Sequence, residues 1–268
     1  MDTIRGILLD HYEYRHQLLK LAKSDILKTY RGAALGWAWA LIKPSMQIFV
    51  FWFAFSFGLR GGGDVSGYPF FLWLIAGMTP WFYITEMLSQ GTDSIRKYSY
   101  LVTKLKFPIS TIPTFVSISK LAINLAITLI VILVFMLFGH FPDIYYLQLP
   151  FYTLCMFFFF TVWGLFSGML SSISKDFSNL VKSMVNVLFW LSGIIYDARE
   201  IDYEIIRTIL LFNPVTFMAN GYRNVFIEKV WFWQNGEELL YFVIMSAIFV
   251  FLAVWAYKKL RKDIPDVL

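Results

Sequence analysis

Long apolar runs separated by short polar connections set the pattern of this chain. Six runs, at about 41–59, 68–89, 113–138, 148–172, 179–196 and 239–257, are long enough to cross or nearly cross a bilayer. A helix rising 1.5 Å per residue needs about 20 apolar residues for a hydrocarbon core of ~30 Å. The fifth run is short for this task, because Lys182 leaves an uncharged stretch of only 14 residues, Ser183–Tyr196. Ahead of the first run, Leu8, Tyr12, Leu19, Ala22, Ile26 and Tyr30 recur at steps of three, four and seven. Glu13, Gln17, Lys20, Ser24, Lys28 and Arg31 trace another face. This spacing predicts a basic amphipathic helix over 7–31, lying in the membrane interface. Between the fifth and sixth runs, 197–238 is too long for a hairpin and too apolar for a free loop. Asn213-Pro214 divides it, which predicts two short helices dipping into the membrane from the outer side and forming an outer gate.

The predicted fold class is therefore an all-α integral membrane protein. Six transmembrane helices follow an N-terminal amphipathic interface helix, and outer re-entrant helices precede the last span. The whole of 1–268 forms one membrane domain. Charged residues make up 15% of the chain, against about 25% in soluble domains, so little material is left for a soluble catalytic unit. The net charge of +5 sits beside apolar segments, where it serves orientation and anionic head groups rather than nucleic acid. The N-terminal part through Lys43 carries seven Lys and Arg. The second connection carries Arg96, Lys97, Lys104 and Lys106, the fourth Lys175, and the C-terminal tail Lys258, Lys259, Arg261 and Lys262. The first connection has only Arg60 and the third none, and in 197–238 seven acids outnumber four bases. The bias towards positive inner loops puts both termini in the cytoplasm.

Few residues offer chemistry. The glycines of GGGDVSG (61–67) lack the Lys-Ser/Thr of a P-loop and read as a flexible outer turn. His11, His16 and His140 do not form a ligand set, and the lone Cys155 lies within an apolar run. No cleaved signal peptide is read at the N-terminus. Within the spans, Glu86, Lys120, Asn124, Asn179, Lys182 and Asn186 are the polar groups of note. A Glu86–Lys120 pair is expected to act as interhelical glue. A proton relay through Glu86 would make the chain a secondary transporter instead. A membrane-embedded transferase would need a cluster of His and acidic residues that is not found. Aromatic residues crowd the first, second and fifth spans, as interface belts or as stacking surfaces for sugar faces. The segment KYSYLVTKLKFPISTIP (97–113) is basic and punctuated by Pro108 and Pro113. Its Leu101, Leu105 and Phe107 are candidate knobs for a groove on a partner protein.

Four blocks carry a resemblance. They are LKTYRGAALGWAWALIKP (27–44), AGMTPWFY (76–83) followed by LVTKLKFPISTIP (101–113), SKDFSNL (174–180) leading to FWLSGIIY (189–196), and NPVTFMANGYRNVF (213–226). In order and spacing the chain resembles the membrane subunits of ABC-2-type polysaccharide exporters, which move O-antigen or wall teichoic acid. It departs from that pattern at Lys175, where Arg is usual, at Gly193, where Pro is common, and at Ser99, where Asn is common. The Ser192-Gly193-Ile194 wording is similar to the teichoic acid branch, which makes wall teichoic acid the first expected cargo and O-antigen-type polysaccharide the next. The resemblance implies a half-transporter of the bacterial cytoplasmic membrane, working as a homodimer. ATP and magnesium would bind a separate ABC ATPase subunit, with no cofactor and no catalytic site in this chain. It implies a glycopolymer linked to undecaprenyl pyrophosphate as substrate. Lys28, Arg31, Lys43, Arg96, Lys97 and Lys104 would form a basic entrance, and Trp39, Phe53, Tyr83, Trp190 and Tyr196 would line the path. Leu101, Leu105, Lys106, Phe107 and Pro108, within a coupling segment at 92–111, would meet the ATPase.

Overall fold

A computed structural model describes residues 2–32, 34–59, 63–105 and 107–267, so Lys106 of the expected coupling set lies outside the described residues. The described residues form helices and turns, with one isolated bridge between Val65 and Tyr68. Among the described residues, five stretches are long and apolar enough to cross a membrane: Trp39–Gly58, Phe70–Thr103, Ile109–Leu137, Ile144–Ile173 and Gly236–Leu260. The sequence had suggested six. The missing one is α9 (Lys175–Trp190), whose 16 residues give a rise of only ~24 Å.

The N-terminal region is two helices, α1 (Asp2–Glu13) and α2 (Arg15–Tyr30), rather than one continuous helix over 7–31. They are also not free surface helices. Leu18, Ala22 and Asp25 are buried against α7 (Ile112–Leu137), and His11 Nε2 lies 2.7 Å from Thr114 Oγ1. Leu8, Tyr12 and Leu19 point away from the protein and stay exposed. The helices thus hold the bundle with one face and offer apolar side chains to lipid with the other.

Helix α3 (Trp39–Phe53) runs into a π-helical turn, Ala54–Leu59, and has no buried residue along its length. Helix α4 (Phe70–Glu86), the π-turn Met87–Gly91, α5 (Thr92–Lys97) and α6 (Ser99–Thr103) form one almost unbroken rod of 34 residues. At 1.5 Å per residue the rod is ~51 Å long, so about 20 Å of it stands outside a ~30 Å hydrocarbon core. It packs along α8 (Leu149–Ile173), where small residues bring the backbones together. Gly164 and Gly168 are four apart on α8. A Cβ on Gly168 would come within 3.1 Å of Ile95, and one on Gly164 within 3.2 Å of Pro113. This is the small-residue spacing that lets helices approach in a membrane without a hydrophobic drive.

The 197–238 segment folds as α10 (Glu204–Leu211) and α11 (Pro214–Arg223) before α12 (Gly236–Leu260) and the short α13 (Ile264–Val267). All ten residues of α11 are buried, wedged between α4 and α8. A Cβ at Gly221 would fall 2.2 Å from the Tyr152 ring, so only glycine fits there. In contrast, α10 exposes Ile205, Ile206 and Ile209. The loops of this end are tied together. Ser66 donates to Glu228 (2.9 Å), Lys229 pairs with Asp143 (2.8 Å), and Gln148 bridges Val230 O and Phe232 N.

Candidate functional site

The bundle presents three linked features: a polar cavity, a clamp at the α1/α6 end, and a lock under α11. The cavity, of about 500 Å³, opens between α3, α4 and α7. Trp39, Lys43 and Gln47 line it from α3, Tyr83, Glu86 and Gln90 from α4 and its π-turn, and Lys120 and Asn124 from α7. Thr29 of α2 also lines it, and Lys28 and Arg31 are not among its lining residues. The expected pair is present, with Lys120 Nζ 3.3 Å from Glu86 Oε2. Lys120 is 2% exposed and Glu86 45%, so the carboxylate reaches from the cavity to neutralise a buried ammonium. Gln90 donates to the same carboxylate oxygen at 2.5 Å. Asn124 donates to Thr79 O at 2.7 Å, while its Oδ1 is buried with no hydrogen-bond donor.

The clamp centres on Asp25, which is 1% exposed. Its carboxylate accepts from Tyr98 Oη, from Ser119 Oγ at 2.6 Å and from Lys97 Nζ at 3.0 Å. Three elements, α2, the α5–α6 junction and α7, meet on this one acceptor. Burial pushes the Asp25 carboxyl up. The hydrogen bonds from Ser119 and Tyr98, with the Lys120 and Lys97 charges, more than reverse this and hold it below the usual carboxylate range. Next to the clamp, Asp93 pairs with Lys182 and accepts from Ser178 at 2.5 Å, tying α5 to α9.

The lock centres on Arg223 of α11. Its guanidinium donates to Gly193 O at 2.6 Å and to Ile194 O, and lies 3.5 Å from the centre of the Trp73 ring. It fills the space that a Cβ on Gly77 would take, at 2.5 Å. The planar cation therefore caps the turn after α9 and stacks on α4 at once. Gly193 has φ +60, a left-handed conformation closed to proline. This accounts for the departure at that position, since the turn is shaped for Arg223. Beyond it, Arg199 pairs with Glu238 at 2.6 Å and donates to Asn224 at 3.1 Å. Burial lowers the Arg199 pKa, and the hydrogen bond and charge of Glu238 raise it by more.

Not every expected residue serves as expected. Lys28, Arg31, Lys43 and Lys104 are exposed, but Arg96 is spent on Ser171 O and Lys97 on Asp25. Tyr83 is a core residue, 1% exposed, with its hydroxyl 2.7 Å from Ser117; only its flank reaches the cavity. Trp39, Phe53 and Trp190 are exposed, and Tyr196 is half-buried in the turn that Arg223 binds. Leu101 and Phe107 are not outward knobs. Both are buried: Phe107 N donates to Leu101 O, and its ring meets Tyr14 edge-on at 5.1 Å. Leu105, at 66% exposure, is the knob that projects, and Pro108 is half-buried. Sequence reasoning missed Asp25, Asp93, Arg223 and the Arg199–Glu238 pair. A lone acid on a basic helix and a lone Arg inside an apolar run were the available signals. Among the described residues, no group of three His, Cys, Asp or Glu is placed to hold a metal.

Comparison with known proteins finds similarity over almost the full chain. An O-antigen export system permease protein RfbA from Myxococcus xanthus is 23% identical over 257 residues, covering 95% of this chain and 96% of that protein. Two proteins of the same name from Klebsiella pneumoniae are 21% and 22% identical over 253 residues, covering 94% of both chains. The profile of the ABC-2 type transporter family matches residues 16–227, which take in the clamp, the cavity and the lock. The chain is thus a multi-pass membrane protein belonging to the ABC-2 type transporter family.

Proposed function

We propose that this chain is the permease half of an ATP-driven exporter that moves a lipid-linked glycopolymer across the bacterial cytoplasmic membrane. The observation that carries the reading is the near end-to-end similarity to three permeases of O-antigen export. We assign an O-antigen-type polysaccharide as cargo. Wall teichoic acid is the second reading, on the Ser192-Gly193-Ile194 resemblance alone. That wording builds the turn held by Arg223, which weakens it as a signature of cargo.

In this reading both termini face the cytoplasm, α9 completes a sixth crossing, and α10 and α11 re-enter from the outer side. Two copies form the path, with α3 and α9 as the contact faces. Their exposed side chains (Phe53, Met184, Trp190) are not buried by any described residue of the same chain. The cargo's pyrophosphate is drawn by Lys28, Arg31 and Lys104, two point charges and one planar fork suited to phosphate. Sugar faces then slide past the exposed rings of α3 and α9.

The rod supplies the coupling. It runs from Thr103, beside the exposed Leu105, to Gly77 and Trp73, where Arg223 of α11 is seated. The 26 helical rises from Gly77 to Thr103 span ~39 Å. A push by the ATPase on Leu105 therefore arrives at α11 without an intervening loop, and α11 is the element that gates the outer end.

Affinity purification with an ABC ATPase subunit from the same organism tests the assembly. A complex with two copies of each subunit is the expected mass. A stable monomer that ignores the ATPase and binds no glycopolymer overturns the reading.

A further inference from the structure

A second cavity continues from the polar one. It is apolar, about 730 Å³, and lies between α3 and α7 towards the far end of the bundle. The two share Pro44 and Ile127 in their walls. Ile48, Phe49 and Trp52 line the apolar part from α3, and Ile130, Val131 and Val134 from α7. One groove thus changes from polar to apolar along its length. It also separates two helices that would otherwise be expected to touch. Helix α3 has no buried residue and keeps its main contact with α4. A space of this size between spans in a bilayer fills with lipid, because helices there gain nothing by avoiding it.

We propose that this groove is a berth for one phospholipid of the leaflet nearest α1 and α2, with an anionic, hydroxyl-bearing head group in the polar cavity and its acyl chains in the apolar one. Three observations select that occupant. First, charge. Lys43 has no ion-pair partner among the described residues, and Lys120 is matched by Glu86. The cavity therefore carries one surplus positive charge, which suits a single phosphodiester rather than a pyrophosphate. Second, hydrogen bonding. Asn124 Oδ1 is a buried acceptor without a donor, on a residue 1% exposed, and it lines this cavity. A head-group hydroxyl supplies the donor it lacks. Third, length. Lys43 to Trp52 is nine residues of helix, ~14 Å, about half of a ~30 Å hydrocarbon core. The berth has the depth of one leaflet. A long polyprenyl tail would overrun it.

This inference rests on the chain lying in a membrane and not on what it transports. Its test therefore reads binding alone. The full chain is reconstituted in nanodiscs of equal phosphatidylglycerol and phosphatidylcholine, and the lipid retained after release is measured by native mass spectrometry. We expect one phosphatidylglycerol per chain, preferred about fivefold, the contribution of one Lys near a membrane surface. Lys43→Glu removes the preference. Val131→Trp, which fills the apolar part, removes the retained lipid altogether. Lys258→Glu, an exposed charge at the end of α12, leaves both unchanged. Each variant is compared at equal elution volume and helix content, so misfolding is separated from loss of the site. Equal retention of the two lipids overturns the proposal. So does a preference that survives both Lys43→Glu and Val131→Trp, or displacement of the phospholipid by an equal amount of polyprenyl phosphate.

Discussion

The guanidinium of Arg223 lies 3.5 Å from the centre of the Trp73 ring while donating to the carbonyls of Gly193 and Ile194. One side chain therefore joins α11, α4 and the end of α9. Lysine would keep the charge but lose the planar stack and the paired donors. Arg223→Lys should cost about 2 kcal/mol, as several charge-assisted contacts weaken in a buried setting. A fall in the thermal unfolding midpoint of the detergent-purified permease checks this. An unchanged midpoint would remove Arg223 from the lock.

The glycine contacts make a second prediction. A Cβ at Gly221 meets the Tyr152 ring at 2.2 Å, and one at Gly77 meets Arg223 at 2.5 Å, whereas Gly6 has open space around it. Gly221→Ala and Gly77→Ala should each destabilise by about 1–3 kcal/mol through overpacking. Gly6→Ala should be neutral or slightly favourable. Thermal unfolding of the three variants side by side reads the difference.

Asp25 gives a dependence on pH. Its carboxyl is held below the usual carboxylate range by Ser119, Tyr98, Lys120 and Lys97, which outweigh its burial. A lowered folded pKa adds stability that is present above the unfolded value of about 3.9 and is lost as pH falls through the folded one. The clamp should therefore be constant from pH 5 to 8 and weaken only below about pH 4. Hydrogen exchange of α2 amides should follow that profile in the native chain. In Asp25→Asn exchange should be faster at neutral pH and lose its acid dependence.

The Glu86–Lys120 pair separates two mechanisms. Glu86→Gln leaves the buried Lys120 uncompensated. It should cost about 2 kcal/mol, discounted because Glu86 is exposed to the cavity. Glu86→Gln with Lys120→Met should recover most of that loss, since removing both charges ends the imbalance. For a structural pair, collapsing the proton gradient leaves export unchanged in vesicles carrying the native chain. Export that stops with the gradient would favour a proton relay through Glu86.

Leu105 and Leu101 should behave in opposite ways. Leu105 is exposed and Leu101 buried. Leu105→Ala should weaken binding of the ATPase about tenfold, as an interface anchor does, without altering permease stability. Leu101→Ala should destabilise the permease by about 2–4 kcal/mol, as cavity formation in a packed core does. Co-purification yield and unfolding midpoint together distinguish the two.

Much of the fold was legible because lipid imposes a simple rule on helix length and composition. Five spans, the Glu86–Lys120 pair and the two-part 197–238 segment followed from apolar runs, a pair of opposite charges on neighbouring spans, and Asn213-Pro214. The misreadings have physical causes. The periodicity over 7–31 marks an apolar stripe but not which face meets protein, so Leu8 and Tyr12 were grouped with Ala22 although only Ala22 is buried. The knobs Leu101 and Phe107 are apolar in a basic segment, but both are buried, with Phe107 N donating to Leu101 O. The paired glycines of α8 were visible but become meaningful only when Ile95 is seen against them. Arg223 and Asp25 make their main contacts 30 and 73 residues away in sequence, a distance that local pattern cannot bridge.

In the proposed function this chain is a conduit whose energy comes from a separate subunit. Purified permease, reconstituted in proteoliposomes with a lipid-linked glycopolymer, tests it most directly, with and without the ATPase and ATP. The account predicts accumulation of polymer across the bilayer only when both ATPase and hydrolysable ATP are present. Uphill movement by the permease alone would contradict it.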